Sequence, residues 1–224
     1  GIARRIVDLA QAAVGWITGS LFGVAVVTGT GLAAISGSGS ADTAAVSAML
    51  VPEMRKRGYD VDFGAGLIAA AGALAPIIPP SVFMIVLATI SNLSVGAMFL
   101  GGVVPGLIIA AGLLAAGYAV ARRGGPEYRD AEPFALARLG RAFLAATPAL
   151  TLPVIIVGGI VGGVFTPTEA AGIAVVVGLG VSLFVYREIG PRQVPGMILQ
   201  AAGLSSGVMM IVATASIYSW LIAS

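Results

Sequence analysis

Long apolar tracts broken by short bursts of charge set the rhythm of this chain, with uncharged stretches over residues 9–41, 63–121, 142–168, 170–186 and 193–224. Helices crossing a bilayer need about 20 apolar residues each, whereas barrel strands would show alternation over about ten. The longest tract has room for two crossings, separated at Ser91-Asn92-Leu93-Ser94 where polarity returns. The predicted spans are therefore 63–90, 99–121, 143–164, 167–186 and 197–220.

Charge adds an orientation. Basic residues gather at Arg4-Arg5, at Arg55-Lys56-Arg57, from Arg122-Arg123 through Arg141, and at Arg187 with Arg192. Cytoplasmic loops carry the excess of Lys and Arg, so all four clusters are expected on one face, and the five spans alternate in agreement. Residues 129–141 interleave arginines with Phe134, Leu136 and Leu139, and read as an amphipathic helix at the interface. Residues 2–14 have the same character. Ordinary loops are the competing reading for both.

Composition strengthens the membrane reading and excludes most chemistry. The 224 residues are 58% hydrophobic and 10% charged, where soluble domains carry about 25% charged residues. Without Cys there are no disulfides or thiolate metal centres. Without His the commonest general base is missing, and a Ser–His protease is excluded. A paired-aspartate mechanism lacks its second buried acid, because Asp60 and Asp62 lie in a charged loop. Gly29-Thr30-Gly31-Leu32-Ala33-Ala34 loosely fits a dinucleotide fingerprint, but it lies in an apolar tract and reads as small-residue helix packing. An enzyme is the weakest class. The chain starts without Met and stops within an apolar run, so a longer parent is expected.

One stretch breaks the alternation. Ser36-Gly37-Ser38-Gly39-Ser40-Ala41-Asp42 follows an apolar arm and precedes a second arm, 43–52, that leads to Arg55-Lys56-Arg57. Ten helical residues cover about 15 Å, half the hydrocarbon core. A re-entrant hairpin, entering and leaving by the cytoplasmic face with its tip at 36–42, solves the length problem. Non-helical backbone at such depth survives only against protein or a water-filled cavity. The tip offers hydroxyls, freed carbonyls and one acid, an oxygen-only set suited to a hard cation. Asp42 has two readings, as an ion ligand or as a cap on the descending helix, a role also open to Ser40.

Two further motifs matter. Ala75-Pro76-Ile77-Ile78-Pro79-Pro80-Ser81 sits mid-span, and three prolines in five residues unwind a helix and free its carbonyls. A packing kink is the plainer alternative. In Thr166-Pro167-Thr168-Glu169, Thr166 and Glu169 read as a capping box opening the next helix, in preference to a transport role for the acid.

The run ISGSGSADTAAVSAMLVPEMRKRGYD, then APIIPPS, GGVVPG and GGVFTPTEAAGIAVVVGLGVSLFVYREI, resembles the large membrane subunit of tripartite ATP-independent periplasmic (TRAP) transporters, over essentially the whole chain. The resemblance implies an all-α polytopic bundle of the elevator type with inverted repeats, each holding a re-entrant hairpin and a broken helix. It divides the chain into an interfacial arm helix (1–16), the first hairpin (17–58), a broken helix with the following span (59–121), a cytoplasmic loop with an amphipathic helix (122–142), and three spans opening a second repeat (143–224). The second hairpin and second broken helix would follow Ser224. It further implies a bacterial inner-membrane importer of carboxylates such as C4-dicarboxylates or sialic acids. Sodium would be the coupling ion, with no other cofactor, and a small membrane subunit and a periplasmic binding protein would be its partners. Carried onto this chain, Ser36, Gly37, Ser38, Ser40, Asp42, Ile78 and Pro79 would hold sodium, and Ser38, Gly39, Pro80 and Ser81 would line the substrate site. A passive channel, or the permease of an ATP-driven importer, is the alternative function.

Overall fold

The computed structural model describes residues 2–129 and 133–223, with helices, turns and loops and no strand among them. Contacts divide the chain into two units, Gly1–Leu179 and Gly180–Ser224. The first holds α1 (Ile2–Val14), α2 (Ser20–Ser36), α3 (Gly39–Lys56), α4 (Val61–Gly72), α5 (Val82–Ile90), α6 (Val95–Arg123), α7 (Leu136–Val161) and α8 (Pro167–Gly180). The second holds a π-helical turn, Val181–Val185, a 3-10 turn, Pro191–Gln193, and α9 (Val194–Ala223), none of whose described side chains is buried. Val95–Arg123, Leu136–Val161, Pro167–Val185 and Pro191–Tyr218 are long and apolar enough to cross a membrane. This is an all-α, multi-pass membrane protein.

The hub is α2, apolar on nearly every face and therefore an interior helix. Its Phe22, Val24, Ala25 and Val26 are wholly buried, and it touches α1, α3, α4 and α6. The Phe22 ring lies 5.1 Å from Tyr59 and 5.0 Å from Phe63, and Tyr59 lies 4.8 Å from Tyr128. Gly19 N donates to Tyr128 O at 2.8 Å, and Asp60 N donates to Tyr128 Oη at 3.2 Å. The start of α2, the end of α3, the start of α4 and the end of α6 thus gather at one end of the unit. Helices α2 and α3 form a hairpin with both arms leaving by that end.

Some expectations change. The descending arm is not ten residues: α3 has 18, about 27 Å at 1.5 Å per residue. Tip depth is therefore set by packing. Ile77 and Ile78, beside the tip, lie against Gly102 and Gly106, part-way along the 29-residue α6. The 63–90 span is broken where the proline run predicted, into two short helices of 12 and 9 residues.

Residues 2–14, expected as an interfacial arm helix, form one helix. Helix α1 buries Ile6, Ala10 and Ala12 and runs antiparallel along α2, with Val14 against Gly23 and Ile6 against Gly31. Arg4 and Arg5 consequently lie towards the tip end of α2, away from the aromatic end where Arg57 and Arg122 sit, so the basic clusters of this unit do not share one end. In the stretch 122–142, residues 126–129 form a 3-10 turn and helix begins only at Leu136, continuing directly into the α7 span. Part of the amphipathic helix expected over 129–141 lies outside the described residues.

Candidate functional site

The hairpin turns in two residues. Gly37 ends α2 in the left-handed region (φ 62°), its N–H donating to Ala33 O at 3.1 Å. That conformation is strained for a residue with a Cβ, which explains the glycine. Ser38 is extended and starts α3, with Asp42 N donating to its carbonyl at 3.0 Å. Neither Ser40 nor Asp42 is the cap. Ser38 holds that position without a side-chain cap bond, and its hydroxyl has no partner among the described residues.

Asp42 points back across the turn. Ser36 Oγ donates to Asp42 Oδ2 at 2.6 Å and accepts from Ser38 N at 3.0 Å. Asp42 is buried, at 5% exposure, while Ser36 and Ser40 are open to solvent. A buried carboxylate held by a single hydroxyl keeps most of its lone pairs available, and burial makes an uncompensated charge costly.

Across from the tip, α4 stops at Gly72 and the chain stays irregular until Ser81. Pro76, Pro79 and Pro80 have no N–H to give, and the Pro79–Pro80 peptide is cis. Ser81, wholly buried, closes the break by donating from Oγ to Pro76 O at 2.9 Å and accepting from Met84 N at 3.4 Å, which caps α5. The carbonyls of Ile78, Pro79 and Pro80 accept no hydrogen bond among the described residues.

Tip and break are in contact. A Cβ added to Gly37 would come within 3.0 Å of Pro80 O and 3.8 Å of Ser81 Cα. Gly39 sits directly on the Gly72 carbonyl, with Ala75 Cβ 3.6 Å from where its own Cβ would be. The structure therefore joins Gly37 to Pro80 and Ser81, and Ser36 to Asp42. The side chains of Ile77 and Ile78 turn the other way, against Gly106 of α6. Sequence reasoning missed Thr43 and Gly72, whose side-chain oxygen and Cα meet across the hairpin–α4 seam. Their signal was the small-residue run 69–73, which permits such backbone approach.

Thr166 and Glu169 lie elsewhere, at the start of α8. Thr166 N and Thr166 Oγ1 both donate to Glu169 Oε2 at 2.8 Å, and Glu169 N donates to Thr166 Oγ1 at 3.3 Å. These are the reciprocal bonds of a capping box.

A multi-pass helical protein with a glycine-serine hairpin tip seated on a proline-broken helix has the build of a membrane permease, where broken helices supply ligands at depth. The chain belongs to the family described as "Tripartite ATP-independent periplasmic transporter, DctM component", whose model matches residues 1–224. It is 41% identical over 223 residues to the 2,3-diketo-L-gulonate TRAP transporter large permease protein of Escherichia coli, covering 99% of this chain and 52% of that one. The C4-dicarboxylate large permease of Pseudomonas aeruginosa is also 41% identical, over 98% of this chain and 51% of its own. The sialic acid large permease of Vibrio cholerae is 34% identical, over 100% and 52%. The chain spans about half the length of these relatives. The family is one of transporter permeases, not enzymes.

Proposed function

We propose that this chain is part of a sodium-coupled secondary importer of an organic carboxylate, working in the bacterial inner membrane. A periplasmic binding protein delivers the substrate, and a small membrane subunit completes the permease. The observation that carries this reading is the seating of Gly37 on Pro80 and Ser81, which brings a buried carboxylate, a partnerless hydroxyl and unshared carbonyls into one region. Hard neutral oxygens with one carboxylate suit an alkali cation. Sodium between tip and break would hold the hairpin down and shape one wall of the substrate site from Ser38, Gly39, Pro80 and Ser81. Ser36, Gly37, Ser38, Ser40, Asp42, Ile78 and Pro79 are the proposed sodium ligands, and the hairpin is read as re-entrant. The substrates named for three relatives, 2,3-diketo-L-gulonate, C4-dicarboxylates and sialic acid, carry a carboxylate, and that named for a fourth, isethionate, carries a sulfonate; the first three support the carboxylate reading.

Ser38→Ala tests the assignment, because its hydroxyl makes no bond among the described residues and its loss should not unfold the protein. In proteoliposomes holding the complete permease with its partners, sodium dependence of uptake should weaken about tenfold, the scale of one lost contact to a charged group. Unchanged sodium dependence at normal protein levels overturns it. Accumulation against the substrate gradient separates an importer from a passive channel.

A further inference from the structure

A cleft of about 440 Å³ opens between the 15–19 turn and α6, at the aromatic end of the unit and away from the hairpin tip. Val14, Trp16, Ile17, Gly23, Leu114 and Tyr118 line it. Its floor is closed where Gly117 packs on Phe22 and Gly19 on Ala121. Gly23 closes one wall, where a Cβ would meet Val14 Cγ2 at 3.4 Å and Leu114 Cδ2 at 4.0 Å.

The rim has a graded chemistry. Leu114, Tyr118 and Arg122 follow one another at i, i+4, i+8 on one face of α6, passing from apolar to amphipathic to cationic over about 12 Å. The Arg122 guanidinium lies 5.7 Å from the centre of the Tyr118 ring, and Arg123 adds a second cation at the helix end. Trp16 is half exposed and donates from Nε1 to Ala13 O at 2.8 Å. Neither Arg122 nor Arg123 pairs with an acid among the described residues; the nearby Glu127 carboxylate accepts from Gly125 N at 3.0 Å. Tryptophan, tyrosine and arginine in this order mark the boundary between hydrocarbon and headgroups.

We infer that this cleft binds one phospholipid with an anionic headgroup, its acyl chain lying against Ile17, Leu114 and Tyr118 and its phosphate at Arg122 and Arg123. Two uncompensated guanidinium groups favour a net negative headgroup over a zwitterionic one. A partner helix, about 10 Å across, does not enter a cleft whose floor is closed by direct α2–α6 contact.

Native mass spectrometry of the complete permease, titrated with phosphatidylglycerol or phosphatidylethanolamine, tests this. Wild type should retain one phosphatidylglycerol in preference to phosphatidylethanolamine. Arg122→Gln should weaken that retention about fivefold, the scale of one arginine facing an anionic lipid. Ala115→Trp, placed at an exposed position on the cleft wall, should abolish it without touching the core. Equal retention of the two lipids, or retention unaltered in both variants, overturns the proposal. So does crosslinking of Ala115→Cys to the small membrane subunit in native membranes, because a protein would then occupy the cleft.

Discussion

Replacing Gly37 by alanine separates two effects that coincide at the hairpin tip. The first is conformational: at φ 62° an L-residue costs about 1 kcal/mol more than glycine. The second is contact: the new Cβ would lie 3.0 Å from Pro80 O, a few tenths of an ångström too close, so the tip must lift off the break. Gly163 isolates the first effect, since its φ is 70° and a Cβ there meets nothing within 4 Å. Both alanine variants should lose about 1 kcal/mol of stability in denaturant titrations of the purified permease. Only Gly37→Ala should also cut sodium-driven uptake, by about tenfold, because ligand geometry tolerates small displacements poorly. Gly37→Asn should recover part of the stability, since asparagine tolerates the left-handed region, while uptake stays low because the Cβ remains. If Gly37→Ala transports as well as Gly163→Ala, the tip–break contact does not govern the site.

Further outcomes follow from hydroxyls whose partners are known. Tyr59 Oη is buried with no partner among the described residues, so Tyr59→Phe should leave thermal stability unchanged or raised, whereas Tyr128→Phe strips the acceptor from Asp60 N and should cost about 1 kcal/mol. Thr166→Ala removes the capping box at α8 and should cost about 1 kcal/mol in denaturant titration with no change in the sodium dependence of uptake; a changed dependence would give Glu169 a part in transport.

Much of the architecture was legible because lipid imposes it. Apolar length alone located α6, α7, α8 and α9 to within a few residues at most ends, and prolines in series marked the break between α4 and α5. What misled was reading charge as a boundary. The descending arm was expected to stop at Pro52, short of Arg55-Lys56-Arg57, yet α3 runs on to Lys56, because long charged side chains on a last turn extend into water without ending the helix. Arg4 and Arg5 were expected to share one face with the other basic clusters. Packing overrode it: one face of α1 carries Ile6 and Ala10, and the apolar hub α2 needed covering on that side.

The site was half legible, and the missing half is instructive. Residue type announced Ser36, Asp42 and the prolines, because polar groups and helix breakers in an apolar tract need a reason. It could not announce which pairs would meet. The glycines decide that. Gly37 brings the turn onto Pro80, and Gly39 with Gly72 lets two backbones touch where any side chain would hold them apart. The serines that looked most like ligands differ sharply once placed: Ser36 is committed to Asp42, whereas the Ser38 hydroxyl has no partner among the described residues. An ion arriving at the tip would therefore meet Ser38 and the break carbonyls without displacing any internal bond. To use Ser36 it would have to share that residue's oxygen with the bond from Ser38 N. Ser38, rather than the buried acid, is where binding can be altered with least injury to the fold.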